Sequence, residues 1–575
     1  AEMLEDRKFF YAVGAEESPW NSTGPERAVR MVPKSLYEGG QAPELTLHEG
    51  AEPAGLVQGN LALRKGKTYE GRILLAGAAS AAPIEVSLVW GPREEDKQTI
   101  RIGEGAPAPL KFTPEYQKVR LNFTAGADTD TAQLSIVGRG SGAFRIGAVS
   151  LMPSDNVQGM RADTLALLKE LDAPIYRWPG GNFVSGYDWQ DGIGDPDLRP
   201  PRKNPAWRGI EHNDFGLDEF MAFCRELGTE PLIVVNSGLG GVDMAIEELQ
   251  YTNGAADTPM GQWRADNGHE APYGVTWWGI GNEMYGAWQL GHMPLEDYVK
   301  KHNAFADAMR AEDASIHLVA VGATGKWSET MLRECAGYMD ALSEHFYVGE
   351  KPGLVSHVRQ IPDSVRHKAV VHRHYHETIP ALANKMIPIA LDEWNYWYGP
   401  ERYGEIGVRY YLRDALGIAA GLHEMTRHSD VFVMANYAQT VNVIGAIKTS
   451  QTDAVFATTG LVLKLYRREY GAIPVEVTGQ MALLDVAAAW TQDRAALTVG
   501  IVNPTHTAYA LPTTFEGVTL SGNGKRWLIT ADDYMAYNEP GKPMQVSIAE
   551  ETVSGVADSL HVPPLCVCLY RLSTE

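Results

Sequence analysis

Two glutamates in this sequence, Glu283 and Glu393, each closely follow a short apolar run. The first run, residues 276–281, leads into Asn-Glu, and the second, residues 387–391, leads into Asp-Glu-Trp. Short apolar runs of this length are typical of strands buried on both faces of a parallel sheet. A carboxylate just past such a strand lies at the rim where α/β barrels carry their chemistry. Two carboxylates at one rim are what glycoside hydrolysis requires.

The spacing of two such carboxylates decides the stereochemistry of hydrolysis. In a retaining reaction one carboxylic acid protonates the leaving oxygen while the other carboxylate attacks the anomeric carbon, at a separation of about 5–5.5 Å. We therefore expect Glu283 and Glu393 to face each other at that distance, and we expect the acid to have a raised pKa. Spacing alone leaves open the alternative of ordinary strand-end carboxylates in salt bridges. Four nearby tryptophans could form apolar walls: Trp277, Trp278, Trp394 and Trp397.

Strand-like and helix-like patterns alternate from about residue 153 to residue 460. Such alternation predicts a parallel sheet covered by helices. One helical face is formed by seven residues with the spacing of a single buried stripe: Leu295, Tyr298, Val299, His302, Phe305, Ala306 and Met309. A closed (β/α)₈ barrel needs eight strands, and the sequence offers seven candidate strands, one fewer than required. The seven candidate strands are residues 174–178, 231–235, 276–281, 317–321, 339–342, 387–391 and 431–434.

Short alternating runs with frequent turn residues flank this central region and predict antiparallel β-sandwiches. The predicted fold class is α/β: a (β/α)₈ TIM barrel with an inserted N-terminal β-sandwich and a C-terminal β-sandwich. The predicted divisions are residues 1–13 (start of the barrel region), 14–152 (sandwich), 153–460 (barrel) and 461–575 (second sandwich). Five aromatic residues of the first sandwich could form a sugar-stacking face or pack in its core: Trp20, Tyr37, Tyr69, Trp90 and Tyr116.

Composition excludes several functional classes. The formal net charge is −22, which argues against nucleic acid as a partner because little would neutralise phosphates. No apolar run approaches the eighteen or so residues that a membrane helix needs. His372 and His376 are four residues apart, but without an accompanying acidic ligand we expect a solvated helix face rather than a metal site. The sequence leaves open whether the protein is secreted, periplasmic or cytoplasmic, and whether it forms a homo-oligomer.

Three longer motifs occur in a fixed order along the chain. They are Arg-Trp-Pro-Gly-Gly-Asn-Phe-Val-Ser-Gly-Tyr at 177–187, Trp-Trp-Gly-Ile-Gly-Asn-Glu-Met at 277–284 and Asp-Glu-Trp-Asn at 392–395. Together they resemble glycoside hydrolase family 51, the α-L-arabinofuranosidase family, which belongs to a clan of retaining glycosidases. The resemblance implies that Glu283 is the general acid/base, that Glu393 is the nucleophile, and that Asn282 hydrogen-bonds the sugar 2-hydroxyl.

The same resemblance implies further sugar-binding positions and no metal or organic cofactor. At two of these positions, His345 and Tyr347, the alternative is a buried histidine and a core tyrosine that have no role in the site. The implied positions that line the pocket are Asn182, His345, Tyr347, Trp397 and Gln439.

The chain departs from the family pattern at its start. The family has a first barrel strand with a sugar-binding glutamate shortly before a segment like residues 1–10 here, so that strand is missing from this sequence. We expect either a separate N-terminal fragment or another segment of the chain to complete the barrel. The sandwich at 14–152 would then be an insertion that resembles a family 4-type carbohydrate-binding module.

The resemblance implies a retaining, exo-acting α-L-arabinofuranosidase that releases arabinose side chains from arabinoxylan or arabinan. Its partner would be a plant cell-wall polysaccharide or oligosaccharide, and neither nucleic acid nor a membrane. One alternative is an endo-β-1,4-glucanase or xylanase of the same family, which an open cleft would favour over a blocked pocket. A second alternative is a carbohydrate-binding protein without catalytic activity.

Overall fold

The computed structural model describes residues 1–25, 27–37, 39–103, 113–403, 407–479, 481 and 483–574. The chain divides into two compact units. The first contains residues 1–165, 188–222 and 450–453, and the second contains residues 166–187, 223–449 and 454–575. None of the described helices is both long enough and apolar enough to cross a lipid bilayer.

The first unit contains two five-stranded antiparallel sheets, ordered β1-β4-β9-β6-β7 and β2-β3-β10-β5-β8. Alternate residues of β6 point into the core and outward, as the period of a half-buried strand requires: Ile84, Val86 and Leu88 are buried. The predicted N-terminal sandwich is therefore confirmed. Its strands are β1 (Trp20–Thr23), β2 (Val29–Pro33), β3 (Gln41–Leu47), β4 (Ala54–Leu63), β5 (Thr68–Gly77), β6 (Ile84–Val89), β7 (Lys97–Ile102), β8 (Gln117–Thr124), β9 (Thr129–Gly138) and β10 (Gly142–Pro153).

Two of the five aromatic residues considered for a sugar-stacking face lie in the core of this sandwich. Trp20 is fully buried and its indole nitrogen donates to the Asp6 carbonyl at 3.1 Å, and Tyr69 is buried as well. The interpretation of these two side chains as part of a binding face is wrong, because a stacking platform must be open to solvent. Trp90 and Tyr116 are half-buried.

The first residues of the chain are fixed within the first unit by charged contacts. The Arg7 guanidinium is buried and donates to Asp197 at 2.8 Å and to Asp214 at 2.5 Å. Lys8 is also buried and donates to the His212 carbonyl at 2.6 Å. A buried charge is tolerated only when it is paired and hydrogen-bonded, and both cations meet that requirement. The domain boundaries inferred from the sequence stay predictions.

Seven parallel strands form the central sheet of the second unit, in the order β11-β14-β15-β16-β17-β18-β19. Each of the seven candidate strands corresponds to one of them. The helical stripe is confirmed as well, since its seven residues are the buried residues of α5. The elements, in chain order from residue 162, are α1 (Ala162–Leu171), β11 (Ile175–Trp178), β12 (Arg202–Lys203), β13 (Ile210–Glu211), α2 (Leu217–Leu227), β14 (Glu230–Val235), α3 (Val242–Asn253), α4 (Pro259–Asp266), β15 (Trp277–Ile280), α5 (Leu295–Glu312), β16 (His317–Ala320), α6 (Lys326–Glu334), β17 (Ala341–Val348), α7 (Leu354–Thr378), β18 (Ile389–Tyr396), α8 (Leu412–Arg427) and β19 (Phe432–Tyr437).

The sheet curves until its two edge strands approach each other, as expected for a TIM barrel. Cα atoms of β11 and β19 come within 8 Å, without a ladder of hydrogen bonds between the two strands in the described part of the chain. The described residues supply no eighth strand to this sheet. The eighth strand, from a separate fragment or another segment, stays a prediction.

A C-terminal β-sandwich packs against the barrel, as predicted. Its six-stranded sheet has the order β22-β23-β24-β29-β26-β27, and a two-stranded sheet joins β25 and β28. Residues of α8 and of β24, β26 and β29 share one apolar core. The elements are β20 (Ile447–Thr449), β21 (Ala454–Phe456), α9 (Thr458–Glu469), β22 (Ile473–Val475), β23 (Asp485–Trp490), β24 (Ala496–Asn503), β25 (Tyr509–Pro512), β26 (Leu520–Thr530), β27 (Ile548–Ser554), β28 (Ser559–Val562) and β29 (Cys566–Thr574).

An ion-pair cluster joins the barrel helix α8 to β23 of the sandwich. Asp485 lies 2.7 Å from His423 Nδ1 and 2.7 Å from the Arg427 guanidinium. Burial by itself would raise the pKa of Asp485, but His423 and Arg427 outweigh it and hold the pKa at about 2. A carboxylate with a lowered pKa stabilises the fold above its unfolded pKa of about 4, and this contribution disappears as the pH falls through its folded pKa.

We expect Asp485→Asn to lower the free energy of unfolding by about 2 kcal/mol at pH 7. The difference from the unaltered protein should shrink as the pH approaches 2, because the aspartate is then protonated. Urea unfolding at pH 7 and at pH 2 measures both quantities. Asp558→Asn removes an exposed carboxylate of the same sandwich and should leave stability unchanged. An equal destabilisation by Asp485→Asn at both pH values would contradict the prediction.

Candidate active site

The first candidate carboxylate, Glu283, follows β15 through a sharply turned backbone. Gly281 has φ +83°, and a Cβ there would lie 1.9 Å from Ser237 Oγ, so only glycine fits this position. Glu283 itself has φ +42°, a left-handed conformation that is uncommon for a residue with a side chain. Residues held in such conformations are concentrated at functional sites. This turn directs Glu283 back over the carboxyl end of the sheet.

The second candidate carboxylate lies in β18, where the strand register shifts. His345 of β17 pairs with Glu393, while Ser343 pairs with Ala390, so β18 has one residue more than β17 over this stretch. An extra residue in one strand re-aims the side chains that follow it. As a result two consecutive residues, Asp392 and Glu393, are both buried and both contact the same polar cluster.

Arg177 of β11 joins these acidic groups. Its guanidinium donates to Glu393 Oε1 at 2.8 Å and to Asn282 Oδ1 at 2.6 Å, and its Nε lies 3.2 Å from Asp392 Oδ2. Burial by itself would lower the pKa of Arg177, but Asp392 and Glu393 outweigh it and raise the pKa. One planar cation therefore fixes two carboxylates and the amide beside Glu283 at the same time.

His345 lies between the two candidate carboxylates. Its Nδ1 is 2.9 Å from Glu283 Oε1 and 3.6 Å from Glu393 Oε2, and its Nε2 is 3.1 Å from Asp392 Oδ1. Burial by itself would lower the pKa of His345, but Glu393 and Asp392 raise it to about 10. The ring is therefore an imidazolium at neutral pH and donates from both nitrogens.

Tyr347 and Trp397 lie on the Glu393 side of the site. The Tyr347 hydroxyl donates to Glu393 Oε2 at 2.8 Å. Trp397 is 37% exposed and makes an edge contact with the Tyr347 ring at 5.2 Å between centroids. Both oxygens of Glu393 are thus held by donors, and an accessible aromatic surface lies next to them.

Glu283 accepts hydrogen bonds from three donors. His345 and the Tyr285 hydroxyl (3.3 Å) donate to Oε1, and the Trp288 indole nitrogen donates to Oε2 at 2.5 Å. Burial raises the pKa of Glu283, but the hydrogen bond and charge of His345 and the bond from Trp288 outweigh it, so the pKa lies below its usual value. This differs from the raised pKa expected from the sequence, because the expectation counted apolar walls and omitted the cationic histidine.

The remaining residues named from the sequence occupy different positions. Asn282 is buried and donates to Gln289 Oε1 at 3.1 Å while accepting from Arg177. Asn182 lies half-buried on the 3₁₀ turn Gly181–Gly186 that follows β11. Gln439 is exposed and lies just beyond β19.

The apolar walls expected from neighbouring tryptophans are only partly correct. Trp278 and Trp394 are fully buried, and the Trp278 indole donates to the Val275 carbonyl at 3.0 Å. Their side chains pack in the core because strand residues alternate between the two faces of the sheet. Trp277 contacts the His317 ring at the start of its strand. Of the four, Trp397 alone has the contact with Tyr347 described above.

Sequence reasoning missed several residues of this cluster. Arg177 and Asp392 lie within the motifs quoted above, but no role was assigned to them. Ser343, which donates to Asp392 at 2.5 Å, could have been found from the alternation of β17, which puts residues 343, 345 and 347 on one face. Trp288 and Tyr285 lie in the irregular segment after β15, where no periodicity shows which way a side chain points.

The described residues include one group with the donor types of a metal site. Ligand atoms of Glu283, His345 and Glu393 all lie within 4.8 Å of one another. A histidine ligates a metal as the neutral imidazole. In this structure the three groups contact one another, since His345 Nδ1 lies 2.9 Å from Glu283 Oε1 and 3.6 Å from Glu393 Oε2.

His372, considered for a solvated helix face, is instead fully buried. Its Nε2 lies 2.9 Å from Glu344, which also accepts from Lys368 at 2.7 Å. The expectation of a solvated face is wrong for this residue because Glu344 of β17 hydrogen-bonds both His372 and Lys368 inside the protein. His376 bonds the Ile387 carbonyl at 3.0 Å.

Known protein families match two stretches of the chain. Residues 167–367 match the alpha-L-arabinofuranosidase 1 domain, and residues 392–565 match the alpha-L-arabinofuranosidase C-terminal domain. A probable alpha-L-arabinofuranosidase C from Aspergillus flavus is 33% identical over 443 residues, which cover 70% of this chain and 86% of that protein.

Two further proteins are similar to this chain. An intracellular exo-alpha-(1->5)-L-arabinofuranosidase from Streptomyces lividans is 36% identical over 327 residues, which cover 52% of this chain and 48% of that protein. The crystal structure of an alpha-L-arabinofuranosidase from Thermotoga maritima in complex with arabinose superimposes with a TM-score of 0.67 at 31% identity. It covers 73% of this chain and 91% of that chain.

The position of His345 between carboxylates leads to a test of the charge balance. We expect Asp392→Asn to lower the pKa of His345 by at least about one unit, because a nearby negative charge shifts a pKa by about 1–3 units. NMR of selectively labelled histidine across the pH range measures the pKa of His345. The His345→Gln variant identifies its resonance. Ser343→Ala also removes a bond to Asp392 but keeps the charge, so its shift should be smaller. An unchanged His345 pKa in Asp392→Asn would show that the charge is not the cause.

Proposed function

Because the chain belongs to glycoside hydrolase family 51, the α-L-arabinofuranosidase family, and is a glycosidase, we propose that it removes terminal arabinofuranosyl groups with retention of configuration. The observation that carries this proposal is the pair Glu283 and Glu393 at the carboxyl end of the sheet, with an oxygen of each within 4.8 Å of the other. This proximity of single oxygens is compatible with the about 5–5.5 Å between the carboxyl groups of retaining enzymes.

In the first step the Glu393 carboxylate is the nucleophile. One of its oxygens forms a bond to the anomeric carbon while the bond from that carbon to the leaving oxygen breaks, and Glu283 gives its proton to that oxygen. The product is a glycosyl–enzyme ester at Glu393 and a free alcohol. Arg177 and Tyr347, which donate to the two oxygens of Glu393, keep the carboxylate correctly oriented for this attack.

In the second step Glu283 is a general base. It removes a proton from water, the water oxygen attacks the anomeric carbon, and the ester bond to Glu393 breaks. The enzyme regains its starting protonation state and releases arabinose. Two displacements on the same carbon give net retention.

His345 is suited to control the proton of Glu283. The imidazolium donates to the carboxylate that must later carry the proton, and Asp392 fixes the ring from its other nitrogen. A general acid works best when its pKa lies near the working pH. We infer that binding of the sugar changes this balance and raises the pKa of Glu283 from its lowered value.

The sugar pocket would be lined by the residues named from the sequence. We propose that Asn282 contacts the 2-hydroxyl through the remaining acceptor capacity of its side chain, and that Trp397 forms an aromatic wall beside Glu393. Asn182, Tyr347 and Gln439 would complete the pocket. Exo action agrees with the name of the Streptomyces lividans relative, an intracellular exo-alpha-(1->5)-L-arabinofuranosidase.

For the natural substrate we propose arabinose side chains of arabinoxylan or arabinan. The test is a panel of p-nitrophenyl α-L-arabinofuranoside, β-xyloside and β-glucoside together with arabinoxylan, arabinan and carboxymethyl cellulose. Release of arabinose without shortening of the polymer backbone supports the proposal. Shortened xylan or cellulose without free arabinose would replace it by endo action, and no turnover of any substrate would favour a binding protein.

The two carboxylates should respond differently to the leaving group. Glu283→Ala should slow substrates with poor leaving groups by about 10²–10⁴-fold and activated aryl glycosides far less, and azide should restore turnover. Glu393→Ala should abolish retaining turnover of both kinds. Steady-state rates and NMR of the product anomers measure these effects.

Glu377→Ala, which removes an exposed carboxylate on α7, is the matched control and should keep the rates of the unaltered enzyme. Equal losses for good and poor leaving groups in Glu283→Ala would rule out its acid/base role.

We also infer that an additional strand pairs with β11 and β19, because unpaired edges in a barrel are costly. A short peptide that co-purifies with this chain, detected by intact-mass measurement of denatured protein, would support a separate fragment.

The sandwich at 14–152 is proposed as an inserted domain of the carbohydrate-binding-module type.

A further inference from the structure

Donors around Glu283 favour its ionised form over its protonated form in the structure described here. A carboxylic acid that protonates a leaving group must carry a hydrogen on one oxygen, and that hydrogen needs an acceptor in front of it. Both oxygens of Glu283 instead face donors: His345 and Tyr285 at Oε1, and Trp288 at Oε2. Each of these donors stabilises the carboxylate, so the departure of one of them makes Glu283 easier to protonate.

The three donors differ in how firmly they are held. His345 is almost completely buried and is bonded to Asp392 from its other nitrogen. The Tyr285 ring is half-buried and packs edge-on against Trp327 at 5.6 Å between centroids. Trp288 is 62% exposed. Trp288 is therefore the donor that can move away at the smallest cost.

The backbone beneath Trp288 is shaped for its indole. A Cβ at Gly286 would lie 2.4 Å from Trp288 Cε2, so the ring rests directly on the glycine. The Gly286 N–H bonds the Glu283 carbonyl at 2.8 Å, which makes a tight turn between the two residues. The indole also contacts the Tyr285 ring edge-on at 6.1 Å. A side chain at position 286 would push the indole away.

We propose that Trp288 is a positioning residue whose indole N–H caps Oε2 of Glu283 in the empty site and leaves it when the leaving-group part of a glycoside enters. The freed oxygen can then carry the proton and face the leaving oxygen. In the empty site the cap keeps Glu283 ionised. This inference rests on the proposed acid/base role of Glu283.

The other groups that face Glu283 stay in place when the cap leaves. The two cations near it hold its pKa down, and the neighbouring carboxylate and the two phenols surround it on the remaining sides: His345, Arg177, Glu393, Tyr285 and Tyr347. Substitutions at positions 288 and 286 keep these five groups. Since Tyr285 contacts the indole, the Tyr285→Phe variant separates its effect on the protonation of Glu283 from that of the cap.

The pH dependence of two kinetic constants separates the empty from the occupied site. The profile of kcat/KM reports protonation in the free enzyme, and the profile of kcat reports protonation in the substrate complex. Trp288→Phe should move the alkaline limb of kcat/KM up by about one pH unit, because a carboxylate that loses a donor is protonated more easily. The alkaline limb of kcat should not move, since the cap has already left in the complex.

Two further variants make the test specific. Gly286→Ala should give the same pattern as Trp288→Phe, because its methyl group displaces the indole. Tyr285→Phe removes a donor to Oε1 that stays in the complex, so it should move both limbs in the same direction. If Trp288→Phe moves both limbs equally, or neither, the displaceable cap is wrong.

A readout without turnover distinguishes this inference from the proposed function. In ¹⁵N-labelled Glu393→Gln protein, the Trp288 indole N–H resonance, identified by its loss in Trp288→Phe, should move upfield when p-nitrophenyl α-L-arabinofuranoside binds. A resonance that stays in place while the glycoside is bound would overturn the proposal. If the resonance moves but Glu283→Ala shows no dependence on the leaving group, the acid/base assignment fails and the displacement stands.

Discussion

The charge balance among Arg177, His345 and three carboxylates is the interaction on which the active site depends. Asp392, Glu393 and Glu283 lie within reach of one another at a largely buried site, and an unpaired ion there would be costly. Two cations placed between them pair with all three carboxylates and lower the pKa of Glu283 and of Asp392. The rest of the barrel can be understood as the scaffold that brings these two cations to the three acids.

The parallel sheet makes this possible because the five charged groups come from four of its strands. β11 supplies Arg177, β15 leads to Glu283, β17 supplies His345, and β18 supplies Asp392 and Glu393. All side chains meet because the carboxyl ends of parallel strands lie at one rim. The register shift in β18 then adds a second acid to a strand that could otherwise present only one of two consecutive residues.

The sequence was sufficient for the strands and for the two central carboxylates. Apolar runs such as 231–235 and 387–391 indicate buried strands in a chain where strands and helices alternate. All seven barrel strands and the α5 stripe were therefore predicted correctly. The lowered pKa of Glu283 was not foreseen, because it depends on His345, which is 62 positions away along the chain. Trp278 and Trp394 were misassigned because adjacency in sequence says little about side-chain direction at the end of a strand. Trp288 lies in an irregular loop, where no periodic pattern shows the direction of a side chain.

Arg177 is carried by β11, which is an edge of the barrel sheet and pairs with β14 alone in the described ranges. Edge strands open more readily than central strands because fewer hydrogen bonds must break. Each local opening of β11 would remove the guanidinium from Glu393 and Asn282 while the remaining six strands stay folded. The additional strand inferred above to pair with β11 would therefore protect turnover as well as the fold, because it would hold Arg177 in place.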